Sequence, residues 1–315
     1  MVKAADRQGA VRTLAVPAPI AALPGLSRRM LDGLRLTMPK GLRTAPAMPE
    51  PLGRLGSLEV RLAHSPREVK RAQKLRFKVF YEEMSAIADV QTQMTRRDRD
   101  AFDAICDHLL VIDHDTRTKS GDPAIVGTYR LLRQDVAARH SGFYTASEFD
   151  VGPLIGRHSG LKFLELGRSC VLPPYRTKRT VELLWHGIWS YVRSHGLDVM
   201  VGCASLEGTD PDRLALPLSF LHHNCRAPEE WQVTALPGRS VAMDRLPPEA
   251  IDTKAALHAL PPLIKGYLRL GAYIGDGAVI DRQFGTTDVM IVLPVSAINA
   301  RYVNHYGVDA TRYAA

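Results

Sequence analysis

The sequence predicts an α/β domain behind a basic N-terminal arm. Residues 161–172 (LKFLELGRSCVL) and 197–205 (LDVMVGCAS) are continuous apolar runs with the length of buried strands, and a helical stretch lies between them. Two such strands around an amphipathic helix make a βαβ-like unit, with a right-handed crossover if the strands are parallel. The 315-residue chain shows no internal repeat and no linker that divides its body, so residues 57–315 are expected to form one domain.

Residues 1–56 hold nine Lys/Arg against Asp6, Asp32 and Glu50, which accounts for +6 of the net charge of +8. Seven prolines and little sustained periodicity mark this segment as a largely disordered arm. Its RRMLDGLRL piece at 28–36 suits a short amphipathic helix on an anionic bilayer; a solvated tail without a partner is the other reading.

The folded body is expected to start near Leu58, where LEVRLAH alternates as a half-buried strand. Ser65-Pro66 then supplies an N-cap and a first-turn proline, with Glu68 as an early acid. Val69, Ala72, Leu75, Val79 and Phe80 form the apolar stripe of the helix that follows, with Arg76 beside it. Residues 85–107 lack a steady period and read as a loop crossing an open site, with Asp100 and Asp103 around Phe102. HLLVID at 108–113 and AIVGTYRLLR at 124–133 read as antiparallel neighbours. FYTASEFDVGPL at 143–154 reads as irregular or briefly helical.

The run at 161–172 stops at Pro173 and Pro174. Beyond them Val181, Leu184, Trp185, Ile188 and Val192 share one helical face, and Gly196 supplies the stop. Arg176, Lys178 and Arg179 sit where the first helical amides lack partners, which suits a phosphate; a solvated basic turn is the plain alternative. Residues 209–224 predict a Thr-capped helix broken or kinked at Pro217. A glycine-rich stretch from Pro261, an apolar strand at 289–295 and a helix through Arg301 and Tyr302 complete the chain.

Glu165 and Arg168 are charged positions inside an apolar strand, and buried charges are rare unless paired or functional. Strict alternation sends residues three apart to opposite faces, whereas a bulge at Gly167 would bring both to one side. A plain Glu165–Arg168 bridge holding the sheet is the competing reading.

Several function classes are set aside. No run of about eighteen apolar residues predicts a membrane span, and no compact leader with a cleavage site begins the chain. Cys106, Cys170, Cys203 and Cys225 form no CxxC pair and read as reduced thiols of a cytoplasmic protein. Nucleic acid is not an expected partner, because the body has no basic face and no recognition motif. His186 and the His222-His223 pair have no completing acid or cysteine at ligand spacing, so no metal is expected. Ser169-Cys170 lacks the Gly-x-Ser-x-Gly elbow, so no covalent intermediate is expected.

LRFKVFYEEM at 75–84, DAFD at 100–103, CDHLLVID at 106–113, GTYRLLR at 127–133 and LELGRSCV at 164–171 follow one another as in GNAT-fold N-acyltransferases. With GCASLEGTDP at 202–211 and the stretch at 260–289, residues 58–306 resemble the L-ornithine Nα-acyltransferases of ornithine-lipid biosynthesis. The pairs Arg76/Phe80, Asp100/Asp103 and Glu165/Arg168 match patterns that acyl-homoserine-lactone synthases share.

The resemblance implies a mixed, splayed central sheet flanked by helices, with the acyl thioester in the opening between residues 161–172 and 197–205. It implies transfer of a (3-hydroxy)acyl chain from acyl-carrier protein to the α-amine of L-ornithine, giving lyso-ornithine lipid. No cofactor is implied beyond the acyl-phosphopantetheine co-substrate. Backbone amides near Ser169, Cys170 and Val171 would meet the thioester carbonyl, and Tyr175, Arg176, Lys178 and Arg179 the donor phosphate. Acetyl-CoA-using members carry glycine where this chain has Arg179, and a small residue where it has Val181. That departure favours a single-phosphate donor with an acidic protein behind it. Glu165 would lie nearest the amine as base, directly or through water, and Arg168 would hold Glu165 or the acceptor carboxylate. Asp100 and Asp103 would take the acceptor's cationic end or lock a loop, with Arg76 as their partner. Caps on a helix beginning near Ala101 are the plain alternative for these two acids, and a solvated face for Arg76. Another acceptor amine, or a non-catalytic carrier- or membrane-binding module, are the alternatives.

Overall fold

The computed structural model describes residues 50–84 and 86–298. Most of the expected arm and the expected helix through Arg301 and Tyr302 lie outside the described residues. The sheet begins earlier than the sequence suggests. Strand β1, Gly53–Leu55, pairs antiparallel with β2, Leu58–Leu62.

Helix α1, Pro66–Phe77, starts as its capping residues dictate: the Ser65 hydroxyl accepts a hydrogen bond from the Glu68 amide. The helix then widens into a π turn over Lys78–Glu83, where the Met84 amide reaches the Val79 carbonyl. Such insertions are frequent at functional sites. The expected loop that follows contains α2, Val90–Thr95, and a 3-10 turn, Ala101–Ala104. Strands β3, Asp107–Arg117, and β4, Pro123–Arg133, run antiparallel. Next come α3, Gln134–Ala137, a 3-10 turn at Tyr144–Ser147, and α4, Gly152–Arg157. The βαβ unit is β5, Phe163–Val171, α5, Lys178–His195, and β6, Val199–Glu207, with the strands parallel.

Helix α6, Ala215–Cys225, is not kinked at Pro217. The proline occupies the first turn, where its missing amide would have had no partner. Strand β7, Ser240–Val241, helices α7, Thr253–Ala259, and α8, Pro262–Leu270, and strands β8, Tyr273–Asp281, and β9, Thr286–Pro294, follow. The sequence concealed α8 and β8 because glycines punctuate both. Gly271 ends the helix with a φ of 96°, and Gly277 takes a φ of 80° within a bulged strand.

Among the described residues the strands run in the order β1-β2-β3-β4-β5-β6-β9-β8-β7. The core is bilayered about this sheet. Leu109, Val111, Tyr129 and Leu131 face α5 and α8, whereas Leu110, Ile112 and Ile125 face α1. Phe163, Val199, Val201, Met290 and Val292 pack against Phe143, Phe149 and Leu154 on the α1 side of the other half. Helix α5 is buried from Leu183 to Val192 and has no single apolar face. Val181, expected in the core, is 46% exposed. Gly187 lets α5 sit close on the sheet, because a Cβ there would lie 2.6 Å from Val60.

Candidate active site

The site forms where the sheet opens. Strands β5 and β6 pair only through Phe163↔Val199, Leu164↔Met200 and Glu165↔Val201. Beyond Glu165 the β6-facing edge of β5 has no strand partner, which leaves polar backbone for a ligand. Gly202 sits at the point of divergence, where a Cβ would run into the Leu166 carbonyl.

Strand β5 is bulged, one residue later than expected. Thr128 pairs with Cys170 and Arg130 with Gly167, so Arg168 and Ser169 together oppose Tyr129. Arg168 takes the left-handed conformation, φ 51°, which few non-glycine residues adopt. The bulge brings Glu165 and Arg168 to the same turn without pairing them. The Arg168 guanidinium lies between the rings of Tyr144 and Phe284, 4.8 and 4.7 Å from their centroids. Glu165 binds the backbone of that same turn. Its oxygens accept hydrogen bonds from the Tyr144 and Thr145 amides at 2.9 and 2.7 Å and from the Thr145 hydroxyl. The expected Arg168–Glu165 contact is therefore corrected: each residue has its own partners.

Those of Arg168 belong to an ionic lattice of three arginines and three aspartates. Arg76, 1% exposed, donates to the Asp98 carboxylate and carbonyl, both at 2.7 Å, and to both Asp103 oxygens. Arg130 donates to Asp100 at 2.5 Å, while Arg168 approaches Asp98 at 3.3 Å and Asp100 at 3.5 Å. The lattice balances its own charge. Burial alone would raise the Asp100 carboxyl, but Arg130, Arg168 and Arg76 hold it below its ordinary value. His108 donates from Nε2 to the Asp103 carbonyl, and burial lowers its pKa, which keeps it neutral. Arg76 was rightly expected to partner the acids, but it is sealed from any acceptor. Asp103 also accepts from the Asp100 amide at the start of the 3-10 turn, so locking and capping are both present.

A second acidic group was not read from the sequence. Glu148, 2% exposed, follows the Tyr144–Ser147 turn, and Asp288 lies opposite Ser205 at the far side of the opening. Carboxylate oxygens of both lie within 4.8 Å of each other and of the Cys203 sulfur. The Cys203 thiol donates to Glu148 Oε2 at 3.3 Å, and Arg239 approaches the other oxygen only to 3.7 Å. Burial, then the neighbouring Asp288 charge, push Glu148 up to about 7, and burial raises Asp288 as well. The cations that act on this pair, Arg239 on Glu148 and Arg168 on Asp288, do not offset the burial. On the other face, Ser169 joins a hydroxyl chain through Tyr129 to Tyr267, whose oxygens are 2.8 Å apart.

The expected donor residues separate into distinct jobs. Tyr175 donates to Asp113 at 2.7 Å and so ties down the loop before α5. Arg176 clasps Glu83 through both terminal nitrogens and donates to the Val171 carbonyl. Arg179 folds back to the Leu55 carbonyl. Lys178, with its side chain 87% exposed, is the cation turned most fully outward beside the Thr177-capped helix start. Cys170 is buried against α1, and burial raises its thiol.

His222, His223 and Asp244 also come within ligand spacing of one another, as do Glu148, Cys203 and Asp288. Asp244, 21 residues beyond His223, is the acid that local spacing did not supply.

Residues 75–186 match the acetyltransferase (GNAT) domain family. An L-ornithine N(alpha)-acyltransferase of Rhizobium meliloti (strain 1021) is 57% identical over 275 residues, 87% of this chain and 93% of that protein. One of Brucella abortus (strain 2308) is 57% identical over 262 residues, 83% of this chain and 93% of the relative. The solved FeeM structure, an N-acyl amino acid synthase from uncultured soil microbes, covers 76% of this chain and 91% of its own. Its 11% identity and TM-score of 0.41 carry no conclusion. This chain belongs to the L-ornithine Nα-acyltransferase family and is a GNAT-fold N-acyltransferase.

Proposed function

We propose that the enzyme transfers a (3-hydroxy)acyl chain from acyl-carrier protein to the α-amine of L-ornithine, giving lyso-ornithine lipid. The observation that carries the acceptor is the Glu148–Asp288 pair: buried acids beside the opening suit a substrate with a second ammonium group. The names of the close relatives point to the same amino acid. For the donor, the support is a helix start with an outward lysine and an arginine in place of a close-fitting glycine.

The chemistry follows from these parts. Asp288 and Glu148 receive the acceptor's charged end, and Glu148 takes the proton that the α-ammonium must lose, since its carboxyl titrates near working pH. The free amine attacks the thioester carbonyl, whose oxygen is stabilised by unpaired β5 amides near Ser169, Cys170 and Val171. A C–N bond forms and the C–S bond breaks; the attacking nitrogen gives up its second proton and the departing sulfur gains one, with the Ser169–Tyr129–Tyr267 hydroxyl chain as the polar relay between them. Glu165 and Arg168 act by fixing the Tyr144–Thr145 turn that carries Glu148. Peripheral contact with the inner face of the membrane fits a lipid product.

The test is acyl transfer by purified protein from 3-hydroxyacyl-carrier protein and from the matching acyl-CoA, offered ornithine, lysine, glutamine and glycine. Product from ornithine with the carrier protein supports the reading. Equal use of CoA removes the donor assignment, and preference for glutamine or glycine removes the acceptor.

A further inference from the structure

Six large apolar side chains are exposed among the described residues, and four of them fall within eleven residues. Met84, Ile87, Val90 and Met94 are 46%, 68%, 76% and 81% exposed. Isolated exposed apolar residues are ordinary, but a cluster marks a contact surface. Val90 and Met94, four residues apart, share one side of α2, and Met84 and Ile87 lie in the segment that leads into it.

This ridge is held from behind. Ala86 is buried and its amide donates to the Phe80 carbonyl at 2.9 Å; the Ile87 amide donates to the Gln283 carbonyl at 2.7 Å. Asp89 caps α2 by accepting from the Thr92 amide at 2.6 Å, and Thr92 is itself buried. The chain thus displays the four side chains from a pinned backbone.

The surface beside the ridge is cationic. Thr95 at the end of α2, with Arg97 and Arg99 just beyond it, lines a groove together with Lys70, Arg71 and Lys74 of α1. Arg67 there pairs with Asp122, Arg96 pairs with Glu82, and Arg71 donates to the Pro123 carbonyl. Lys70, Lys74, Arg97 and Arg99 form no ion pair among the described residues. The groove reaches Asp100 and Asp103 at the edge of the lattice.

We propose that this ridge and groove dock on an anionic bilayer, with Met84, Ile87, Val90 and Met94 entering the headgroup boundary and the four unpaired cations meeting lipid phosphates. An acidic carrier protein would use the charge but leaves four fully presented apolar side chains without a reason. A bilayer uses both. The inference goes beyond the proposed reaction, does not depend on which amine is acylated, and is separate from the basic arm. Docked this way, the segment that carries Asp98 and Asp100 lies next to the membrane.

The experiment is sedimentation of the full-length protein with vesicles of phosphatidylcholine, with and without phosphatidylglycerol. It compares wild type with Ile87→Asp/Met94→Asp and Lys74→Glu/Arg99→Glu. All four positions are exposed, so melting temperature and acyl transfer from a soluble donor are expected to stay near wild type. Wild type should bind the anionic vesicles, and each double variant should bind about tenfold or more weakly, at roughly 1 kcal/mol per basic residue near the surface. Unchanged binding of both variants would overturn the proposal, because the arm alone would then hold the protein. Unchanged vesicle binding with a raised KM for the carrier protein would also overturn it, by giving the face to a protein partner.

Discussion

A single nitrogen of Arg76, Nη2, reaches both carboxylate oxygens of Asp103, at 2.7 and 2.9 Å, and also the Asp98 carbonyl. The contact spans 27 residues and is sealed from solvent, so it fixes the 96–106 segment against α1. Arg76→Met would leave two aspartates buried without their main cation. Removing one partner of a buried pair costs about 3–5 kcal/mol. Urea unfolding should show that loss. Arg76→Lys should recover little of it, since an ammonium lacks the fork that spans Asp98 and Asp103.

Glu165→Gln replaces an oxygen acceptor by an amide that points hydrogens at the Tyr144 and Thr145 donors. If Glu165 positions the turn, kcat should fall by about tenfold to a thousandfold while the pH profile keeps its shape. A profile that flattens in this variant would return Glu165 to the role of base.

Glu148 carries the pH dependence. Its folded carboxyl sits at about 7 against an ordinary value of 4.5, so the folded state binds more protons between those limits. Stability from this group is therefore full below about 4.5, declines as pH rises towards 7 and then levels. Activity should run the other way, with kcat/KM for the acceptor rising through about 7 as the carboxylate forms. In Glu148→Gln, both slopes should disappear and transfer should drop by about a hundredfold or more. An unchanged rate profile would remove Glu148 from the reaction.

Gly202→Ala tests the opening itself. A methyl group at this position meets the Leu166 carbonyl, a backbone atom that cannot swing aside. Overpacking of this kind costs about 1–3 kcal/mol. The loss should appear in thermal unfolding, accompanied by a larger fall in transfer than Gly187→Ala produces.

Lys178→Glu should raise KM for an acyl-carrier-protein donor while leaving kcat near wild type, and the difference should shrink as salt screens the exposed charge. Insensitivity of the wild-type KM to salt would count against charge recognition at this helix start.

The strands and helix of the central unit were legible because each is a long apolar stretch with a hard stop: Pro173 after β5, Gly196 after α5. The positions of Arg76, Asp100, Asp103, Glu165 and Arg168 were legible as a pattern. Their partners were not, since pairing is set by tertiary approach. Asp98 stands in TRRDRD as one acid among several, yet it meets both Arg76 and Arg168. Glu148 and Asp288 are 140 residues apart in sequence, and tertiary contacts such as the register Ser205↔Asp288 and the Phe149–Ala235 bridge bring them together. Pro217 misled because a proline reads as a breaker until its place in the first turn is known. The bulge was expected, but its register by one residue depended on how β4 pairs.

The three residue pairs that join β5 to β6 form a seam between two half-sheets. On one side β1 to β5 pair with sequence neighbours; on the other, β6 to β9 pair among themselves. Each half can assemble from its own stretch of chain before the seam closes, and the longest loop to be closed, between β6 and β9, lies within the second half. The opening begins where β5 and β6 part after three residue pairs, so opening and seam share the same three residues on each strand, and a substitution that tightens one will tighten the other.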